Sequence, residues 1–148
     1  MKLFSYVVDH DTGFAPNPSG RYCTLVHCKF SEDGKRRNLV ERADEGDWIL
    51  GTGGTSSRSS GNGTVIYLMR VDEKLSFQKY LMQQRFKGRS DCKDRGTNNS
   101  YALVSRHFFY FGKSAIPISR LSKSLQSIAW EKRGPVIRDG SPRRIFAG

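Results

Sequence analysis

The stretch GDWILGTGG, Gly46 to Gly54, runs an acidic turn into a short apolar segment and then into the small residues TSSRSSGNG of positions 55–63. A glycine-rich loop that opens a helix is a ready phosphate cradle, whereas one between two strands belongs to a sheet. Behind this loop stands TVIYLMRVD at 64–72, rich in β-branched and aromatic residues, and it reads as a strand. A P-loop also requires a Gly-Lys-Ser/Thr ending, and this loop has no lysine. Gly51, Gly53 and Gly54 lack the third glycine and the following helix of a dinucleotide fingerprint. DWILGT and TVIYLMRVD are therefore two strands, joined by a loop long for a hairpin whose backbone can still approach a ligand.

Outward from this centre, LFSYVV near the start reads as a strand and DHDTGFAPNPSG as the turn-rich loop after it. RYCTLVHCKF alternates as a second strand, with Tyr22, Thr24, Val26 and Cys28 on one face and Cys23, Leu25 and His27 on the other. NLVERADEGD suits a short helical turn. KLSFQKYLMQQRF places Leu75, Tyr80, Leu81 and Phe86 at roughly helical spacing, with Ser76 as N-cap and Gly88 as stop. YALVSRHFFYFG is strongly β-prone, and SRLSKSLQSIAW suits a second helix. The expected architecture is an α+β single domain over 1–148, a strongly bent and mostly antiparallel sheet or small barrel with one or two helices. Residues 131–148 read as an irregular basic tail.

A length of 148 residues suits one hydrophobic core. No run of eighteen apolar residues exists to span a membrane, and MKLFSYVV followed by DHD lacks the centre of a signal peptide. Three cysteines without framework spacing fit a reducing compartment, so the expected location is the cytoplasm. The net charge of +11 is uneven: residues 1–50 carry seven Lys/Arg against eight Asp/Glu, 51–100 nine against four, and 101–148 nine against two. Such a field attracts polyanions, which makes nucleotides or DNA the expected partners and a protein docked on the basic face the alternative.

Other chemistry is less well served. Cys23 and His27 share a strand face while Cys28 points away, so the three cannot close on one zinc ion without a bulge, and no metal or cofactor is expected. Asp9, His10, Asp11, Asp47 and His107 offer acid/base groups, yet an Asp-His-Asp run before a turn also serves as capping chemistry. Tyr22, Trp48, Phe14 and Tyr101 can stack on bases, Asn17, Asn98 and Asn99 can read base edges, and Arg85, Arg89, Arg95 and Arg106 can pair with phosphates.

In order along the chain, FSYVV, GFAPNP, YCTLVHCK, GDWILGTGG, YLMRV, FQKY, RF and LVSRHFFYFGKSAIPI resemble the nucleotide modification associated domain 2 family of bacteria and their phages, from Lys2 to about Ile118. The resemblance implies a role around modified nucleotides in DNA modification systems, and it carries over to Phe14, Pro16, Asn17, Tyr22, Thr24, Asp47, Trp48, Gly51, Thr52, Gly53, Arg85, Phe86 and Phe111. Where the family pattern is expected to read Gly-Asp-Asn-Ile-Tyr, this chain has RGTNNSY at 95–101, without the acid. The strand order also resembles the small base-binding barrels of the PUA, ASCH and EVE type.

The expected ligand-binding set is thus Phe14, Asn17, Tyr22, Thr24, Trp48, Thr52, Gly53, Arg85 and Arg106. Its expected function is binding of a nucleotide or modified nucleobase, free or in DNA. The alternatives are a nucleotide- or base-modifying enzyme using Asp11, Asp47 or His107, and a phage protein that sequesters a host signal nucleotide or inhibits a host defence protein.

Overall fold

The computed structural model describes residues 1–26, 39–93, 101–123 and 138–139. The elements are β1 (Lys2–Val8), β2 (Asn17–Ser19), β3 (Tyr22–Leu25), α1 (Leu39–Arg42), β4 (Trp48–Gly53), β5 (Thr64–Arg70), β6 (Glu73–Ser76), α2 (Phe77–Met82), β7 (Tyr101–Ser105), β8 (Phe108–Tyr110), β9 (Ile116–Pro117) and β10 (Arg138–Asp139). They form an α+β fold of two sheets. The first has the order β10-β1-β4-β5-β8, with β9 also pairing β5, and the second runs β2-β3-β7-β6. Pairing is antiparallel except between β1 and β4, and among the described residues the sheets do not close into the small barrel that the sequence suggested.

Alternation along the strands sets the core. Phe4, Val8, Ile49, Tyr67 and Met69 of the first sheet pack against Cys23, Leu25 and Leu103 of the second, with Leu39, Val40 and Ala43 around α1 joining them. Each large side chain buried this way stabilises the fold by about 2 kcal/mol before entropy is counted. The outer face of the first sheet has its own cluster, Leu3, Leu50, Val65 and Leu68, covered by Ile118 and Leu121. On the outer face of the second, Val26, Ala102 and Val104 lie with Tyr80 of α2 and Phe86. Tyr22 and Val26 join this outer cluster while Cys23 and Leu25 face inward, the alternation expected of β3.

YALVSRHFFYFG is β as expected, but in two strands: it turns a corner at Arg106 and His107, so β7 lies in one sheet and β8 in the other. One expectation is corrected. KLSFQKYLMQQRF is α-helical only over Phe77–Met82, followed by a 3-10 turn at Gln84–Phe86, because Leu75 is paired with Ala102 in β6. Ser76 does cap α2, its side chain accepting from the Lys79 amide. In the region expected as a second helix, Ile118–Arg120 form a 3-10 turn, and 124–130 lie outside the described residues. Of the basic tail, Arg138–Asp139 pair with β1, and 131–137 and 140–148 lie outside.

The β5–β6 and β7–β8 corners are adjacent and share one carboxylate. Asp72 Oδ2 accepts from the Arg106 amide at 2.6 Å and the His107 amide at 3.2 Å, and Oδ1 accepts from Arg70 Nε at 2.7 Å. Beside it, Glu73 accepts a two-pronged pair of bonds from Arg85, at 2.8 and 2.6 Å. Burial pushes the Asp72 carboxyl up, but the Arg106 amide, the His107 ring and the Arg70 guanidinium outweigh it and hold the carboxyl below its usual range. The Arg85 hydrogen bonds do the same for Glu73.

Both carboxyls therefore bind protons more weakly in the folded chain than in the unfolded one. Their stabilisation is complete above the ordinary carboxylate range near about 4 and is lost as pH falls through the lowered folded values. An Asp72→Asn chain should be less stable than the parent at pH 7. In urea titrations its stability should change less than the parent's between about pH 5 and pH 2. An identical acid limb in both proteins would remove Asp72 from this role.

Candidate functional site

Packing accounts for the glycines after β4. A Cβ on Gly53 would run into the Gly61 carbonyl, so this glycine lets the loop fold back onto its own strand. The loop is stitched down along its length. The Gly54 amide donates to Ser59 Oγ at 2.7 Å, the Ser59 hydroxyl to the Val8 carbonyl at 2.8 Å, and the Ser60 hydroxyl to the Gly112 carbonyl at 3.0 Å. The amide that a phosphate would need at Gly54 is already committed. Thr52 is buried and donates to the Tyr6 carbonyl at 3.2 Å. Thr52 and Gly53 thus each hold the framework of the loop.

Gly51 makes a different space. Strand register lines up Tyr6, Gly51, Tyr67 and Tyr110 in one row across β1, β4, β5 and β8. These tyrosines pack in the cluster between the sheets, Tyr67 buried and Tyr6 and Tyr110 at its edge. The Tyr67 ring lies over Gly51, where a Cβ would collide with it. Tyr6 meets Tyr67 edge to face, centroids 6.1 Å apart, and their hydroxyls share a hydrogen bond of 2.7 Å. At the far end Tyr110 donates to Asp11 Oδ1 at 2.7 Å. The neighbouring row, Phe4, Ile49, Met69 and Phe108, is wholly apolar, so polarity rises toward the carboxyl end of β1. In open, mostly parallel α/β sheets ligands bind beyond that end of the strands; among the described residues of this sheet, β1 and β4 are the parallel pair.

Five of the expected site residues gather elsewhere, on the outer face of the second sheet. Tyr22 packs edge-on against Phe86, and the guanidinium groups of Arg85 and Arg106 lie 5.4 and 5.9 Å from its ring centroid. Arg85 is held by Glu73 and is no free phosphate ligand, while Arg106 has a 57 % exposed side chain and a bond to Glu73 at 3.1 Å. Asn17 and Thr24 are buried in a polar network that sequence reasoning missed. Its centre is Asp91, which accepts from Thr24 Oγ1 at 2.5 Å and Tyr80 Oη at 2.9 Å. Arg89 donates to the Ser19 and Asn17 carbonyls at 2.9 and 2.5 Å, and Asn17 Nδ2 donates to Ser90 Oγ at 2.9 Å. Asn17 and the Arg89 side chain, 7 % exposed, are thus both engaged within this network.

Phe14 is half-buried in the loop that carries Asp11. Trp48 does not line this region: it packs with Leu3, Leu50 and Leu68 on the opposite face of the first sheet. Asp47 uses both oxygens on backbone, accepting from the Lys2 amide at 2.7 Å and the Asp44 amide at 2.9 Å, and so clamps the turn before β4. His107 Nδ1 stands 2.9 Å from Asp72 Oδ2 with the ring 59 % exposed. His27, Cys28, Arg95, Asn98 and Asn99 lie outside the described residues. Among the described ones, no cluster of His, Cys, Asp and Glu could hold a metal, and burial pushes the Cys23 thiol up to about 12. Asp91 and the tyrosine row have no local signal in the sequence, since they depend on pairings across three or more strands or elements.

These features define an α+β domain of two facing sheets, with a tyrosine row and a carboxylate at one end of the space between them. The chain belongs to the nucleotide modification associated domain 2 family, whose model matches residues 1–94 and so places it in a nucleotide-modification context. The matched span holds Tyr6, Asp11, Gly51 and Tyr67, while β7 to β9, with Arg106 and Tyr110, lie beyond it. No curated protein and no solved structure matches the chain. No helix among the described residues is long and apolar enough to cross a membrane.

Proposed function

We propose that this domain binds a nucleotide or modified nucleobase, free or in DNA, in a bacterial or phage DNA-modification or conflict setting. The observation that carries this reading is the tyrosine row: three phenols in register, spaced by a glycine, at the carboxyl end of the parallel pair β1 and β4. Tyr67 is wholly buried, so the half-buried Tyr6 and Tyr110 are the rings that would meet a planar base, and a stacked base is worth about 1–3 kcal/mol to alanine substitution. The basic charge of the later two thirds of the chain supplies the long-range attraction for phosphate.

Native mass spectrometry against nucleotides, cyclic dinucleotides and short DNAs with modified bases tests this directly. The parent should retain a ligand, Tyr6→Ala should bind it roughly tenfold or more weakly, and Trp48→Phe, on the opposite face, should bind it unchanged. A parent that binds no nucleotide, base or DNA would end the reading. A base- or nucleotide-modifying enzyme is the second reading, favoured by the exposed His107 ring positioned on Asp72. It requires turnover of the bound ligand that is lost in His107→Gln.

A further inference from the structure

Tyr110 and Asp11 stand 99 positions apart in sequence and meet through one hydrogen bond, from Tyr110 Oη to Asp11 Oδ1 at 2.7 Å. A phenol has a single proton to donate, and here it is spent on the carboxylate. Burial, and then the bond to Asp11, push the Tyr110 phenol well above its ordinary range, so that proton stays in place at neutral pH. On the Asp11 side the bonded oxygen accepts, and a carboxylate oxygen is an acceptor. Toward a ligand the pair therefore offers acceptors only: the second Asp11 oxygen and the remaining lone pair of the Tyr110 oxygen. Both residues are half-buried at the rim of the space between the sheets, where such acceptors are costly to leave unmatched once a base covers them.

From this geometry we infer that Asp11 and Tyr110 together read the exocyclic amino group of a nucleobase laid against the tyrosine row, which makes the ligand an amino-bearing base such as cytosine, a 5-substituted cytosine or adenine. The inference rests on the reading that the row takes a base. An amino group has two N–H donors and no lone pair directed at the site, and it satisfies the two acceptors together. Uracil and thymine put a carbonyl oxygen at the equivalent position, so acceptor faces acceptor and both sides lose their hydrogen bonds to water. Discrimination arises from the unpaired groups left in the wrong complex rather than from extra attraction in the right one.

The test uses ligands that differ at one position of the ring. Calorimetric titration of the full chain compares dCMP with dUMP, and 5-hydroxymethyl-dCMP with 5-hydroxymethyl-dUMP. The parent should prefer the amino member of each pair by roughly a hundredfold, less than a fully enclosed site achieves because this pair is half-exposed. Asp11→Asn puts an amide donor beside the ligand, and the preference should fall to about one or reverse. Tyr110→Phe removes one acceptor and frees Asp11 Oδ1, and the preference should fall part of the way, with melting curves confirming that each variant is folded.

Equal affinity for both members in the parent would overturn the inference and leave nucleotide binding standing. So would an amino preference that survives unchanged in folded Asp11→Asn. Absence of binding by all four ligands, by adenine nucleotides and by modified DNA would overturn this inference and the reading beneath it together.

Discussion

An Asp91→Ala chain will be less stable than the parent by about 3–5 kcal/mol, the cost of leaving a buried charge without its partner. Asp91 is completely buried and is the anionic centre of the network that joins β2, β3, α2 and the 3-10 turn Ser90–Cys92. Removing its carboxylate strands the Thr24 and Tyr80 hydroxyls. It also leaves the Arg89 guanidinium, with a side chain 7 % exposed, without the negative charge 3.9 Å from its Nε. That Nε has no hydrogen-bond partner, so Asp91 is the charge that offsets it through space. Urea denaturation will show the loss as a lower midpoint at unchanged slope. In an Arg89→Met background the same Asp91→Ala change should cost clearly less, because no buried cation remains to be stranded. Equal costs in the two backgrounds would mean that Asp91 acts only through Thr24 and Tyr80.

Gly51→Ala should cost about 3 kcal/mol, at the upper end of overpacking effects, although the substitution adds one methyl group to a strand. The methyl would occupy the position of the Tyr67 ring edge, and Val8 Cγ2 on the other side stands only 3.0 Å away. Tyr67 is buried and tied to Tyr6 through its hydroxyl, so it cannot step aside without opening the row. In a Tyr67→Leu background the collision partner is gone, and Gly51→Ala should then cost less than about 1 kcal/mol. Nucleotide retention in the single variant should fall together with stability. A Gly51→Ala chain as stable as the parent would show that the ring relaxes freely and that the row is not held by packing.

Much of the strand layout is legible in the sequence because it rests on alternation. Tyr22, Thr24 and Val26 against Cys23 and Leu25 are such an alternation, while DWILGT and TVIYLMRV are legible as short apolar, β-branched runs bounded by turn residues. The corner at Arg106 and His107 is not legible, since SRH sits inside an unbroken β-prone run and the bend is fixed by Asp72, over thirty residues earlier. Leu75 misleads for a related reason: it suits the helical spacing of α2, but pairing with Ala102 outweighs that local preference. Of the expected site, Tyr22, Arg85 and Arg106 do assemble, and Asn17 and Thr24 assemble beneath them in a structural role. The place of Trp48 beside glycines suggests a cleft wall, whereas its strand position puts it on the opposite face from Gly51. Tyr6, Tyr67 and Tyr110 come together only through a register that no one segment encodes.

The parallel pairing of β1 with β4 also sets an order in time. A ribosome makes β1 before its parallel neighbour β4, whose Trp48 pairs Leu3 only 45 residues later. Until that point β1 lacks this partner and its apolar residues stay uncovered by it, the condition that chaperones recognise. The last connection across the tyrosine row waits longer still, because Asp11 meets Tyr110 only after 99 more residues have been added. The site proposed for the base is therefore completed late in synthesis: a nascent chain stalled before β8 holds Asp11 and two of the three phenols, and it lacks the partner that would fix the carboxylate.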